Sequence, residues 1–166
     1  IGAFGADPYG SSSGASYVVF GAASGFAANL NLSSLDGSNG FQVSGEAAFD
    51  YSGFSVSQAG DVNGDGFDDL IIGARGADPN GTNSGASYVV FGAASGFAAN
   101  LNLSGLDGTN GFQVSGEAAE DLSGRSVSSA GDVNGDGFDD LIIGAGDADP
   151  NGSYSGASYV VFGAAS

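Results

Sequence analysis

The residues best suited to chemistry stand in a nine-residue stretch, DVNGDGFDD, that occurs at 61–69 and again at 132–140. Side-chain oxygens fall at its positions 1, 3, 5 and 9, and the glycines between them permit a sharp turn. The carbonyl at position 7 can also point inward. Because Ca²⁺ takes about six to eight hard oxygen ligands in flexible geometry, each copy predicts a Ca²⁺ site. The predicted ligands are Asp61, Asn63, Asp65, Phe67 (carbonyl) and Asp69 in the first loop, and Asp132, Asn134, Asp136, Phe138 (carbonyl) and Asp140 in the second.

Two other interpretations of this stretch fit less well. An ordinary Asp/Asn/Gly turn caps its own backbone, but it would leave three carboxylates repelling one another in each copy. An EF-hand needs an acid at position 12, where this chain has Ile72 or Ile143. The remaining acids, Asp68 and Asp139, fall outside the ligand spacing, and we expect them to be solvated neighbours.

Composition narrows the possible functions. The chain has 166 residues, 42% of them apolar, and a formal net charge of −17, with Arg75 and Arg125 as its basic residues. Such a charge argues against nucleic acids and favours a cationic partner such as a metal ion. No apolar run approaches the length of a membrane span, so we expect no membrane insertion.

Catalysis finds little support in the residue types. The chain has no histidine, cysteine or lysine to serve as base or nucleophile. A carboxylate group at Glu117, Glu120 and Asp121 could in principle serve a glycosidase, but Phe49 replaces Glu120 in the sister copy. We therefore expect no enzyme in this segment.

An internal repeat organises the chain. GASYVVFGAAS starts at Gly14, Gly85 and Gly156, which gives a period of 71 residues. The predicted organisation is a tail of a preceding unit, two full units and the start of a third. These segments are 1–13, 14–84, 85–155 and 156–166.

Each period predicts four short strands, at 54–62, 69–74, 86–92 and 111–117. Four strands per repeat favour an all-β fold of β-propeller blades with four antiparallel strands. A parallel β-solenoid is the alternative, although its coils usually repeat over shorter periods. Aromatic residues within apolar runs are predicted to lie in the core; they are Tyr88, Phe91, Tyr159 and Phe162.

The segments SGFSVSQAGDVNGDGFDDLIIGAR and SGRSVSSAGDVNGDGFDDLIIGAG resemble the FG-GAP repeat of integrin alpha-subunit propellers and their bacterial relatives. The resemblance implies a seven-bladed propeller with calcium in the hairpin between the first two strands of a blade. It also implies an extracellular or cell-surface binding or adhesion module. The departures are Ser52-Gly53 and Ser123-Gly124 in place of Phe-Gly, and Arg75 and Gly146 in place of the proline of Gly-Ala-Pro.

The two full units differ at ten positions, and most of these fall in two connections predicted to lie on the side opposite the acidic loops. Around the connection into the first strand they are Phe49/Glu120, Tyr51/Leu122, Phe54/Arg125 and Gln58/Ser129; between the second and third strands they are Arg75/Gly146, Gly76/Asp147, Thr82/Ser153 and Asn83/Tyr154. Either the sequences of exposed loops vary here without functional consequence, or this side binds a protein or glycan ligand.

Two further functions stay open at this stage, a carbohydrate-binding lectin-type propeller and a structural repeat of a surface layer or filament. Two and a third blades cannot close a ring. We therefore expect either self-association or further repeats in a longer chain, and the phase of the repeat favours the longer chain.

Overall fold

The computed structural model describes residues 1–165, and its regular structure is almost entirely β. The strands are β1 (Gly2–Ala3), β2 (Ala15–Val19), β3 (Gly40–Ser44), β4 (Ser55–Gly60), β5 (Asp69–Ala74), β6 (Ala86–Val90), β7 (Asn100–Asn102), β8 (Gly111–Ser115), β9 (Ser123–Gly131), β10 (Asp140–Ala145) and β11 (Ala157–Val161). Two 3₁₀ helices span Leu32–Ser34 and Leu103–Gly105. A membrane-spanning helix needs about 20 apolar residues, and no helix among the described residues meets that requirement.

One blade is complete. It contains β4, β5, β6 and β8 in that order, and every neighbouring pair is antiparallel. This arrangement confirms the predicted all-β blade of four strands. The blade runs from Ser55 to Ser115 and so straddles the junction at residue 85 between the two sequence units.

Partial blades flank the complete one. On one side β9, β10 and β11 form a three-stranded antiparallel sheet. On the other side β1, β2 and β3 pair antiparallel. A ring of seven blades stays a prediction.

The short strand β7 was not predicted, and it joins neighbouring blades at their outer rim. It belongs to the second sequence unit but pairs in parallel with β3 of the first, with Gln42 opposite Asn100 and Ser44 opposite Asn102. The Phe97 ring, just before β7, stacks on Phe41 with ring centres 4.1 Å apart. Alternating Asn and Leu gave a weak strand signal, and pairing partners 58 residues apart are not visible in a local pattern.

The cores lie between blades. One cluster joins Phe41 and Val43 of the first blade to Ile72, Tyr88 and neighbouring side chains of the second. The other cluster contains residues of the second blade and the third; they include Ile71, Val89, Phe91, Val127, Leu141 and Ile143. Burial of these apolar faces is therefore what holds consecutive blades together.

Glycine permits a close approach between blades at one recurring place. A Cβ on Gly73 would lie 2.0 Å from the carbonyl oxygen of Gly124 in the next blade, and Gly2 stands in the same relation to Gly53, at 2.1 Å. Gly53 and Gly124 keep the glycine of the expected Phe-Gly pair. The departure at Ser52 and Ser123 therefore leaves this contact intact.

The prediction of core aromatics holds only in the complete blade. Tyr88 and Phe91 are buried, and Phe91 packs against Phe112 of β8 with ring centres 5.8 Å apart. Tyr159 is half-buried. Phe162 is 59% exposed, so its assignment to the core is wrong. Among residues 1–165, no fourth strand covers β11 as β8 covers β6.

Strand order places the loops on two sides of the blades. The acidic loops follow β4 and β9, and the loops 75–85 and 146–156 follow the next strand at the opposite side. The connection 116–122 reaches that opposite side as well, because Glu120 N–H donates to the carbonyl of Thr82 (2.8 Å) and Leu122 N–H to that of Asn83 (3.1 Å). The two connections predicted to share a side do so.

Candidate metal centre

Asp61 begins the first acidic loop and holds its turn together. One of its carboxylate oxygens accepts hydrogen bonds from the N–H groups of Gly64 (2.8 Å) and Asp65 (3.0 Å). The other accepts from Gly66 N–H at 3.0 Å. Gly64 and Gly66 have φ of +77° and +89°, values that favour glycine, so the turn depends on both residues.

Asn63 and Asp65 occupy the middle of the loop. The amide of Asn63 donates to Asp65 Oδ2 at 3.1 Å, and its oxygen accepts from Asp65 N–H at 3.1 Å. Asp65 Oδ1 accepts from Phe67 N–H at 2.9 Å. Asp65 is exposed and Asn63 is buried, so Asp65 lies at the outer mouth of the loop.

Asp69, the last predicted ligand, lies at the base of the loop and is fully buried. Its carboxylate accepts hydrogen bonds from Val62 N–H (2.9 Å) and Gly92 N–H (2.8 Å), which ties the loop to the residues after β6. Burial raises the pKa of this carboxyl, and the charges of Asp65 and Asp61 act in the same direction, against the two N–H donors. A cation in the loop would favour the ionised form.

The second loop repeats the first closely. Asp132 accepts from the N–H groups of Gly135 (2.6 Å), Asp136 (3.1 Å) and Gly137 (2.9 Å). Asp140 accepts from Val133 N–H (2.8 Å) and Gly163 N–H (2.9 Å). Asn134 donates to Asp136 at 2.7 Å, and Asp136 in turn accepts from Phe138 N–H at 3.0 Å.

In each loop four of the predicted ligand residues lie in the turn and the fifth lies beneath it, and the carboxylates accept hydrogen bonds from backbone N–H groups. Within residues 1–165, no group of three or more Asp, Glu, His or Cys side chains is placed to hold a metal ion. Asp69 lies below the turn while Asp65 lies at its mouth. The donor set nevertheless fits a hard cation, because it is entirely oxygen and an ionised carboxylate has about four lone-pair sites for its two oxygens.

Within residues 1–165, no basic side chain forms an ion pair with the acidic loops. Among the described residues, the one ion pair joins Arg125 to Asp147 at 3.1 Å, and it lies on the opposite side of the blades. Four carboxylates in each loop therefore stand without a protein cation; they are Asp61, Asp65, Asp68 and Asp69 in the first and Asp132, Asp136, Asp139 and Asp140 in the second.

One expectation about these acids needs correction. Asp68 is exposed, as predicted for a solvated neighbour. Asp139, the equivalent residue of the second loop, is half-buried and accepts a hydrogen bond from Asp61 N–H at 3.0 Å. Packing of consecutive blades brings the second loop against the first, a long-range contact that spacing within one loop could not reveal.

On the opposite side, several of the positions that differ between units contact one another. Arg75 lies over the rings of Phe54 (4.3 Å) and Tyr51 (5.2 Å). In the second unit, Arg125 replaces Phe54 and pairs with Asp147. Several of the differing positions are therefore neighbours in the fold, which comparison of the two units in sequence could not show.

Backbone strain is concentrated on this same side. The seven non-glycine residues with positive φ among the described residues all lie in its loops; they are Ser12, Phe49, Tyr51, Asn83, Glu120, Leu122 and Tyr154. Bulky residues such as Phe49 (φ +70°) rarely adopt this conformation. Hydrogen bonds between the loops hold it, for example from Phe49 N–H to the carbonyl of Ser11 at 2.8 Å.

Three aromatic side chains on this side are at least half exposed. Tyr154 is 77% exposed, Phe49 58% and Tyr9 50%. Gln58, by contrast, lies inside β4 and does not belong to this surface. The exposed aromatic residues are apolar groups on this surface that a partner could contact.

Comparison with known proteins agrees with this geometry. The family model of the FG-GAP repeat matches residues 52–90 and 123–161, so each match contains one complete acidic loop. Integrin alpha-5 of Xenopus laevis is 36% identical to the chain over 110 residues, which cover 63% of this chain and 9% of that protein. The chain thus spans a small part of that relative.

Proposed function

The chain contains two FG-GAP repeats, at residues 52–90 and 123–161, and on this basis we propose that it is a calcium-stabilised binding module of an extracellular or cell-surface protein. The observation that carries the proposal is that each matched repeat encloses one acidic loop with the same hydrogen-bonded turn. The similarity to an integrin alpha subunit supports a binding module and gives no reason to assign a catalytic role.

The predicted ligands have different roles in binding Ca²⁺. Asp61 and Asp132 shape the turn through three N–H groups each, and Asp65 and Asp136 carry exposed carboxylates at its mouth. Asp69 and Asp140 anchor the base. The bound ion would neutralise carboxylates that otherwise repel one another, so it would stabilise the hairpin between the first two strands of a blade.

Calorimetric titration with CaCl₂ tests this part of the proposal. We expect two sites in the unaltered chain, with dissociation constants of about 10⁻⁴–10⁻³ M, as in extracellular modules. Asp65→Ala and Asp136→Ala should each remove one site. A titration without heat of binding, in a chain whose fold is intact, would contradict calcium binding.

The partner surface is proposed on the side opposite the acidic loops. It carries the strained loops and the exposed rings of Phe49 and Tyr154, and strained backbone in folded proteins often marks a binding site. Similarity to an integrin alpha subunit favours a protein ligand. The exposed aromatic rings also suit stacking on a sugar, so a glycan is the second candidate.

Two binding measurements separate these candidates. A surface coated with the chain should retain cells in Ca²⁺, and the Phe49→Ser/Tyr154→Ser variant should retain fewer at equal coating density. Treating the cells with protease beforehand should abolish retention if the ligand is a protein, whereas binding to a glycan array would identify a sugar. Equal retention by the variant and the unaltered chain would exclude this surface.

A further inference from the structure

The two acidic loops are in direct contact although they belong to different blades. Asp139 N–H donates to the carbonyl of Asp61 at 3.1 Å, and the Asp139 carboxylate accepts from Asp61 N–H at 3.0 Å. A third bond runs from Ala164 N–H to the carbonyl of Val62 at 3.0 Å. Asp61 and Val62 are the first two residues of the first loop, so these bonds fix its entry.

Glycines in the first loop make room for this contact. A Cβ on Gly60 would lie 2.1 Å from Asp139 Oδ2, and a Cβ on Gly64 would lie 2.3 Å from the Phe138 ring. A Cβ on the equivalent Gly131 or Gly135 of the second loop would meet no atom of residues 1–165 within 4 Å. The first loop is therefore fitted against the second, and the outer side of the second loop is open in the described chain.

Burial follows the same asymmetry. Val62 and Asn63 are buried in the first loop, whereas their equivalents Val133 and Asn134 are exposed. The two loops have the same nine residues, so the difference arises from their neighbours alone. The sequence supplies two chemically equal loops in unequal surroundings.

We propose that Asp139 is a positioning residue for the first Ca²⁺ site, acting from the neighbouring blade, so that the first loop binds Ca²⁺ more tightly than the second. This inference rests on the proposed function. Asp139 fixes the backbone of Asp61, the residue on which the turn of the first loop depends, and less ordering then remains to be done when the ion binds. Its carboxylate also adds negative charge beside the first site.

The contact also couples the two sites. Asp139 lies between Phe138 and Asp140, two predicted ligands of the second loop. A cation in the second loop would order this segment, and it would thereby order the hydrogen bonds between Asp139 and Asp61 as well. Binding at the second site therefore raises the affinity of the first, and by linkage the reverse holds as well.

The chain offers a matched control for each variant. Asp68 stands at the same place in the first loop as Asp139 in the second, but it is exposed and outside the contact. Asp68→Ala and Asp139→Ala each remove one carboxylate near the first site, but only Asp139→Ala also removes a hydrogen bond between blades. Gly60→Ala displaces Asp139 without altering it, and Gly131→Ala, at a similarly positive φ (+68° against +77°), controls for backbone strain.

CaCl₂ titrations of single-site chains test the proposal. Asp136→Ala leaves the first site, and we expect Asp139→Ala in this background to raise its dissociation constant about 5-fold or more. Asp68→Ala in the same background removes a charge beside the first site but no bond between blades, so it should raise the constant less than Asp139→Ala does. Gly60→Ala should weaken binding more than Gly131→Ala does. Equal affinities for the Asp139→Ala and Asp68→Ala chains would overturn the proposal.

A second measurement needs no metal and separates the two proposals. In EDTA, Asp139→Ala should melt about 2–4 °C below Asp68→Ala, because only the first variant loses a hydrogen bond between blades, the one from Asp61 N–H to the Asp139 carboxylate. If no chain binds Ca²⁺ but the two variants differ in melting temperature, the proposed calcium function is refuted while the contact between Asp139 and Asp61 is supported. If Ca²⁺ binds but Asp139→Ala and Asp68→Ala have the same dissociation constant and the same melting temperature, the calcium function is supported while the role of Asp139 is refuted.

Discussion

The guanidinium carbon of Arg75 lies 4.3 Å from the centre of the Phe54 ring, and the position equivalent to Phe54 in the next unit is itself an arginine. That residue, Arg125, pairs with Asp147 at 3.1 Å. Each unit therefore has one arginine on the side opposite the acidic loops. The first is held by aromatic rings and the second by an acid.

These two arginines should differ in their contribution to stability. Arg75→Ala is expected to lower the free energy of unfolding by about 1–2 kcal/mol, because the packing of its stem and its contact with two rings are both lost. Arg125→Ala should cost less than about 1 kcal/mol, since its ion pair is exposed and screened by salt. Urea unfolding at low and high salt measures both. A loss in Arg75→Ala that is no larger than in Arg125→Ala, or that disappears at high salt, would contradict the packing of Arg75 against the rings.

The outer-rim pairing of β3 with β7 gives a second prediction with an internal control. Phe97 stacks on Phe41, whereas Phe26, the same residue of the first unit, is 60% exposed. Phe97→Ala should cost about 1–2 kcal/mol through lost burial of a half-buried ring, and Phe26→Ala close to nothing. Equal midpoints for the two variants in urea unfolding would contradict the pairing.

Asp50 predicts a pH dependence of stability. Its carboxyl is buried, and burial raises its pKa above 3.8 despite the hydrogen bond from Ala47 N–H; the charges of Glu46 and Asp78 add to the increase. A raised folded pKa means that the folded state holds the proton more tightly than the unfolded state does. The stabilising contribution is therefore complete below pH 3.8 and is lost as pH rises through the folded pKa.

The Asp50→Asn variant checks this sign. Stability of the variant, measured by urea unfolding from about pH 3.5 upward, should fall less with rising pH than that of the unaltered chain. Asp121→Asn is the matched control. Asp121 is the equivalent residue of the next unit, and its carboxylate accepts the equivalent hydrogen bond, from Ala118 N–H at 3.1 Å, but it is partly exposed. A variant whose stability falls with pH as steeply as that of the unaltered chain would refute the assignment to Asp50.

The sequence was sufficient for what depends on local pattern. Alternation and turn residues located the four strands of the complete blade, and the Asp/Asn/Gly spacing located both loops. A period of 71 residues placed equivalent residues in equivalent positions. The antiparallel order then placed the varied connections on one side.

Features that depend on neighbouring blades were not accessible from the same pattern. The sequence could not show that β7 pairs with β3, that Asp139 is a contact rather than a solvated acid, or that Phe162 is exposed while Phe91 is buried. In each case identical or similar residues have different neighbours. Sequence spacing also could not show that Asp69 lies beneath the turn, where its carboxylate binds two N–H groups.

Thermal unfolding with and without Ca²⁺ tests the central claim, that the acidic loops are built to hold this ion, most directly. With dissociation constants of about 10⁻⁴–10⁻³ M, a change from EDTA to about 10 mM CaCl₂ should raise the melting temperature by about 5 °C or more through linkage to two sites. The Asp65→Ala/Asp136→Ala variant should show no such increase. A melting temperature that is the same in EDTA and in CaCl₂ for the unaltered chain would contradict the account.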